Sequence, residues 1–81
     1  TNNDQNIKIF PNPVLNTFTI QSDISLHHIE ITDAYGKLIQ KVDTNDKSIS
    51  VNVSTYPAGM YFIRTINKSR FHDKMFKIVK Q

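Results

Sequence analysis

Ile29-Glu30-Ile31-Thr32-Asp33-Ala34-Tyr35-Gly36-Lys37-Leu38-Ile39-Gln40-Lys41-Val42 decides the fold class of this 81-residue chain. From Ile29 to Thr32, apolar and polar side chains alternate, the period of a strand with one buried face. Asp33-Ala34-Tyr35-Gly36 then reads as a tight turn. An Asp carboxylate accepts nearby backbone N–H groups, and Gly36 takes positive φ without a Cβ clash. Lys37 to Val42 returns as a second strand, so antiparallel pairing is the default for the neighbours.

The same pattern continues in both directions. Upstream, Ile7-Lys8-Ile9-Phe10 puts its isoleucines on one face, and Pro11-Asn12-Pro13 ends it as a bend, because prolines supply no ladder donors. Thr17-Phe18-Thr19-Ile20-Gln21 turns Phe18 and Ile20 inward. Ile24 and Leu26 fall in a connection before Ile29. Downstream, Asp43 to Lys47 is a polar loop and Ile49-Ser50-Val51-Asn52-Val53 alternates strictly. Tyr56-Pro57-Ala58-Gly59 connects it to Met60–Ile66, which is apolar on both sides at its start and therefore reads as a central strand. Asn67-Lys68-Ser69-Arg70 is a turn, and Phe71 to Lys80 is the last run. No segment holds a 3.6-residue period with caps. Seven short runs separated by turns predict an all-β fold, a seven-stranded antiparallel immunoglobulin-like sandwich. Its bulk is expected from the aromatics Phe10, Phe18, Tyr35, Tyr56, Tyr61, Phe62, Phe71 and Phe76.

Length fits one small domain or a fragment of something longer. With 38% hydrophobic and 21% charged residues it is globular rather than disordered. No apolar run approaches a membrane span. No signal-peptide pattern opens the chain, so an N-terminal export address is expected outside it. Cysteine is absent, which excludes disulfides and thiolate metal sites. The net charge of +3 is unevenly spread. Arg64, Lys68, Arg70, Lys74, Lys77 and Lys80 crowd the C-terminal quarter against one acid, Asp73. Such a stripe suits a polyanion or guards a sheet edge against aggregation, and the second reading is the commoner one.

Catalytic parts are missing. On a regular strand, His27 and His28 point to opposite faces and cannot share an ion. His72 is distant from both. Glu30 is the only glutamate, and Asp23, Asp33, Asp43 and Asp46 sit in or beside turns. Gly36 and Gly59 are too few for a phosphate loop, and no serine lies in a nucleophile elbow. Asn52-Val53-Ser54 and Asn67-Lys68-Ser69 fit the glycosylation triplet, a short match in an asparagine-rich chain. No RNP-like or helix-turn-helix pattern accompanies the basic stripe, which argues against nucleic acid. The residues therefore predict no catalytic site, no metal and no cofactor. They describe a β module that is recognised, attached or used as a spacer.

Four segments, in order, carry a resemblance: Ile9-Phe10-Pro11-Asn12-Pro13; Ile29 to Ile39 with its Asp33-Ala34-Tyr35-Gly36-Lys37; Val51 to Arg64 with Tyr56-Pro57-Ala58-Gly59-Met60-Tyr61; and Lys74 to Gln81. Together they resemble the type A C-terminal sorting domain of cargo proteins of the type IX (Por) secretion system of Bacteroidota. Tyr56 stands where that family usually has leucine. The resemblance implies a linker or cleavage region over residues 1–6 and the sorting domain over residues 7–81. It further implies transit of a larger protein through the periplasm, reading by the type IX translocon and its outer-membrane shuttle proteins, and removal of the domain by a sortase-like cysteine protease. The cargo would then be joined to anionic lipopolysaccharide and lie at the outer-membrane surface or be released. Translocon recognition is expected along Lys74, Met75, Phe76, Lys77, Ile78, Val79, Lys80 and Gln81, by strand addition if this run lies at a sheet edge. Dimerisation by exchange of that strand is a further possibility. Pro11, Asn12, Pro13, Asp33, Gly36, Gly59 and Tyr61 are expected to be structural. An uncleaved subunit of the surface machinery and an adhesive or glycan-binding sandwich are the alternative functions.

Overall fold

The structure, a computed structural model, describes residues 6–67 and 73–81. Seven strands follow one another: β1 (Ile7–Phe10), β2 (Thr17–Ser22), β3 (Leu26–Asp33), β4 (Leu38–Asp43), β5 (Ser48–Asn52), β6 (Gly59–Asn67) and β7 (Lys74–Lys80). They form a three-stranded sheet in the order β1-β2-β5 and a four-stranded sheet in the order β4-β3-β6-β7, and every strand pair is antiparallel. This is the expected immunoglobulin-like sandwich. The central position read for Met60–Ile66 also holds, since β6 lies between β3 and β7. Residues 1–5 of the expected linker, most of the Asn67–Arg70 turn, and Phe71 and His72 of the last run lie outside the described residues.

Alternation builds the core. Phe18 and Ile20 from β2 and Val51 from β5 meet Ile29 and Ile31 from β3, Tyr61 and Ile63 from β6, and Ile78 from β7. Each fully buried side chain of this size contributes about 1.5–3 kcal/mol. The expectation of an aromatic core is corrected here, because only Phe18 and Tyr61 among the described aromatics are buried. Tyr35, at the hairpin tip, is 96% exposed, and Phe10 is exposed on the outside of β1. β-branched isoleucines and valines fill the space instead, as they fit a pleated face.

Two further corrections come from one irregularity. The third strand begins at Leu26 rather than Ile29, and its pairing with β6 shifts between Leu26 and His28. An extra residue in the strand lets Leu26 and Ile29 both point inward although they are three apart. The same bulge defeats simple strand parity for His27 and His28. Their rings do not diverge: Nδ1 lies 2.7 Å from Nδ1, with ring centroids 5.0 Å apart.

Candidate functional site

Each of the four segments that carry the sequence resemblance sends one part to the same end of the sandwich, although their strands run on toward the other. Asp33 is opposite Tyr61, and Tyr61 is opposite Ile78. Gly59 is opposite Lys80, and Val14, just past Pro13, forms a parallel bridge to Lys80. The chain enters at the other end, where Asn6 exchanges hydrogen bonds with Asp23 and Leu26 is opposite Asn67. The nine residues of β6 separate the two ends by roughly 25 Å at strand rise.

Local chemistry explains each piece of the motif end. In the hairpin, Gly36 N–H donates to the Asp33 carbonyl, while Tyr35 and Lys37 N–H both donate to Asp33 Oδ1 at 2.9 and 3.0 Å. Gly36 sits at φ +86°, the left-handed position this turn needs. In the β5–β6 connection, Tyr61 is buried, and its hydroxyl donates to the Pro57 carbonyl at 2.6 Å. A tyrosine at the start of this strand that reaches back a few residues is the tyrosine corner of immunoglobulin-like sandwiches. Tyr56 packs beside it, centroids 5.3 Å apart, and donates its hydroxyl to Gln40 Oε1 at 2.6 Å. Burial, then the neighbouring Tyr61, pushes the Tyr56 phenol above its ordinary value of 10.0. Gly59 takes φ +148° with open space where a Cβ would stand. A shallow groove runs between the two turns, lined by Ala34, Tyr35, Pro57, Ala58 and Met60.

The terminal strand β7 lies at the edge of its sheet. Its two faces differ. Lys74, Phe76, Ile78 and Lys80 share the inner parity, and Ile78 and Lys80 are buried there. The Lys80 ammonium donates to the Gln81 carbonyl at 2.8 Å. Met75, Lys77 and Val79 share the outer parity and are exposed. The three lysines of the expected recognition run are therefore not displayed together. The outer backbone edge of β7 is also occupied along its last third. The Asn12 side-chain amide donates to the Lys77 carbonyl (3.2 Å) and accepts from Val79 N–H (3.0 Å). Val14 N–H donates to the Val79 carbonyl (2.8 Å), and Gln81 N–H donates to the Val14 carbonyl (2.9 Å). Asn12, expected to set a corner, thus seals an edge as well. Val14 has no counterpart in the sequence reading. Its one signal was an apolar residue directly after Pro-Asn-Pro.

At the opposite end the outer face of the four-stranded sheet is polar. Arg64 bridges Asp73 at 2.8 Å and Glu30 at 3.4 Å, and Glu30 in turn lies 3.4 Å from His28 Nε2. The bond to Asp73 foremost, helped by Glu30, holds the guanidinium still more firmly protonated. Ion pairs this exposed contribute little to stability. Among the described residues, no group of three His, Asp or Glu is arranged to hold a metal.

A family model for secretion system C-terminal sorting domains matches residues 8–81, and the chain belongs to that family, the type IX (Por) sorting domains. An endo-acting ulvan lyase of Formosa agariphila is 32% identical over a 73-residue alignment that covers 85% of this chain and 14% of the lyase. The chain thus spans only a small part of that relative. A solved structure of PorZ, an essential bacterial surface component of the type-IX secretion system of Porphyromonas gingivalis, matches with a TM-score of 0.76 at 16% identity. The match covers 93% of this chain and 11% of that one, and it agrees with the immunoglobulin-like fold.

Proposed function

We propose that this domain is the address of a larger exported protein: the type IX translocon and its outer-membrane shuttle proteins read it after transit through the periplasm. A sortase-like cysteine protease then removes it, and the cargo is attached to anionic lipopolysaccharide at the cell surface or released. The domain is the substrate of that machinery and performs no catalysis. The observation that carries this reading is that Asn12, Asp33, Gly59, Tyr61 and Lys80, drawn from all four family segments, meet at the end away from Asn6, in a chain whose family is one of sorting domains. A preceding cargo joined at Asn6 leaves that end open to a reader. The cut would fall within residues 1–6, the polar stretch that precedes β1.

A second reading keeps the domain in place as part of a surface component, as the shared fold of PorZ suggests. Mass spectrometry of a surface-delivered protein bearing this tail separates the two. Loss of the tail supports the address, and quantitative retention supports the subunit. Deleting Lys74–Gln81 is expected to stop delivery. Delivery at the original level would refute reading at this end.

A further inference from the structure

Register clusters exposed apolar side chains on the outer face of the four-stranded sheet, toward its motif end, with Thr32 between Leu38 and Phe62 and with Met75 opposite Arg64. Met60 is opposite Val79 and Phe62 opposite Lys77, all with outward parity, while Ile39 and, through a register shift, Leu38 extend the surface across β4. Of the nine large hydrophobics exposed in the described chain, five (Leu38, Ile39, Met60, Met75 and Val79) lie on this face, each between 39% and 63% exposed. Clustering of this kind marks an interaction site, whereas singly scattered apolar residues do not.

We propose that this surface docks the domain onto a separate protein that offers an apolar patch with a carboxylate opposite Lys77. The inference rests on the sorting reading and deepens it by naming the docking face. Lys77 is flanked on its own strand by Met75 and Val79 and faces Phe62. The acids of the same sheet face, Glu30, Asp43 and Asp73, lie in the other half, where Arg64 engages Glu30 and Asp73 and Lys41 lies 4.0 Å from Asp43. The patch therefore holds a cation with no acid of its own, and a partner carboxylate completes it. Two other modes fit less well. Strand addition along the last third of β7 is blocked, because Asn12 and Val14 already take the Lys77 and Val79 carbonyls and the Val79 and Gln81 N–H groups. Cover by the domain's own preceding polypeptide would have to cross the length of the sheet, since the chain enters beside Asp23 at the far end.

The test is export of a protein bearing this tail from a type IX-competent bacterium, comparing the unmodified tail, Met60→Glu with Val79→Glu, Lys77→Glu alone, Lys41→Glu on the polar half, and no tail. Thermal melts of each tail check that these surface changes leave it folded. Export is expected to fall by roughly tenfold or more with the Met60/Val79 pair, as when charge replaces central apolar contacts. It should fall less with Lys77→Glu and hold with Lys41→Glu. Folded Met60/Val79 variants exported at the unmodified level would overturn the docking face while leaving the address intact. Export without any tail would instead overturn the address itself. A wild-type tail that sediments as a dimer, or binds vesicles of anionic phospholipid, and loses that behaviour with Met60→Glu would also overturn the proposal, in favour of a second copy or a lipid surface.

Discussion

Asp33, Gly59 and Tyr56 each hold the motif end by a different physical means. Asp33 supplies one oxygen to two backbone N–H groups. Asp33→Ala should cost about 1–2 kcal/mol, seen as a melting point about 4–8 °C lower per kcal/mol in a domain of this size. Asp33→Asn, which keeps the acceptor, should lose much less. Gly59 has room for a side chain but not the backbone angle for one. Gly59→Val should therefore destabilise by roughly 1–3 kcal/mol through strain, and an unchanged melt would contradict this. For Tyr56 the sign follows from a raised pKa in the fold. Its neutral phenol contributes stability in full below about pH 10, the unfolded value, and loses it as pH rises through the folded value. Tyr56→Phe should lose the Gln40 hydrogen bond at pH 7 yet unfold with a shallower dependence on alkaline pH, as followed by urea midpoints.

At the scale of elements, the sequence exposed most of the strands because alternation is a local signal. The strict alternation from Ile49 to Val53 and the Asp33–Gly36 turn place β5, the end of β3 and the start of β4 within a residue. What alternation cannot show is a change of parity. The extra residue at His27–His28 lengthens β3, turns Leu26 inward and brings the two rings together, and no local residue type announces it. Nor does periodicity reveal a side chain acting as backbone. Asn12 was legible as part of a bend, but its pairing with Lys77 and Val79 spans more than sixty residues. Asn12→Ala should cost about 1 kcal/mol and speed amide exchange at Val79 and Gln81 relative to the centre of β6. Unaltered exchange at Val79 would show that the edge is held by Val14 alone. The apolar character of Met60 and Phe62 reads as the mark of a central strand, and β6 is central, yet Met60 is exposed and Phe62 half-buried on the outer face. Sequence alone does not distinguish a covered face from one waiting for a partner.

On the scale of the whole molecule, the sandwich is polarised. Asn6 is tied to Asp23 at one end, while the sealed edge, the tyrosine corner and the apolar patch lie at the other. The outer face of the four-stranded sheet changes from the charged Glu30, Arg64 and Asp73 to apolar side chains along its length. On the proposed reading, a cargo joined upstream of Asn6 leaves the other end open to a reader. The most direct measurement is surface delivery of one parent protein carrying either this domain or an unrelated immunoglobulin-like sandwich of equal size in its place. Delivery with this domain and retention inside the cell with the substitute is the predicted result. Equal delivery of both would contradict the account.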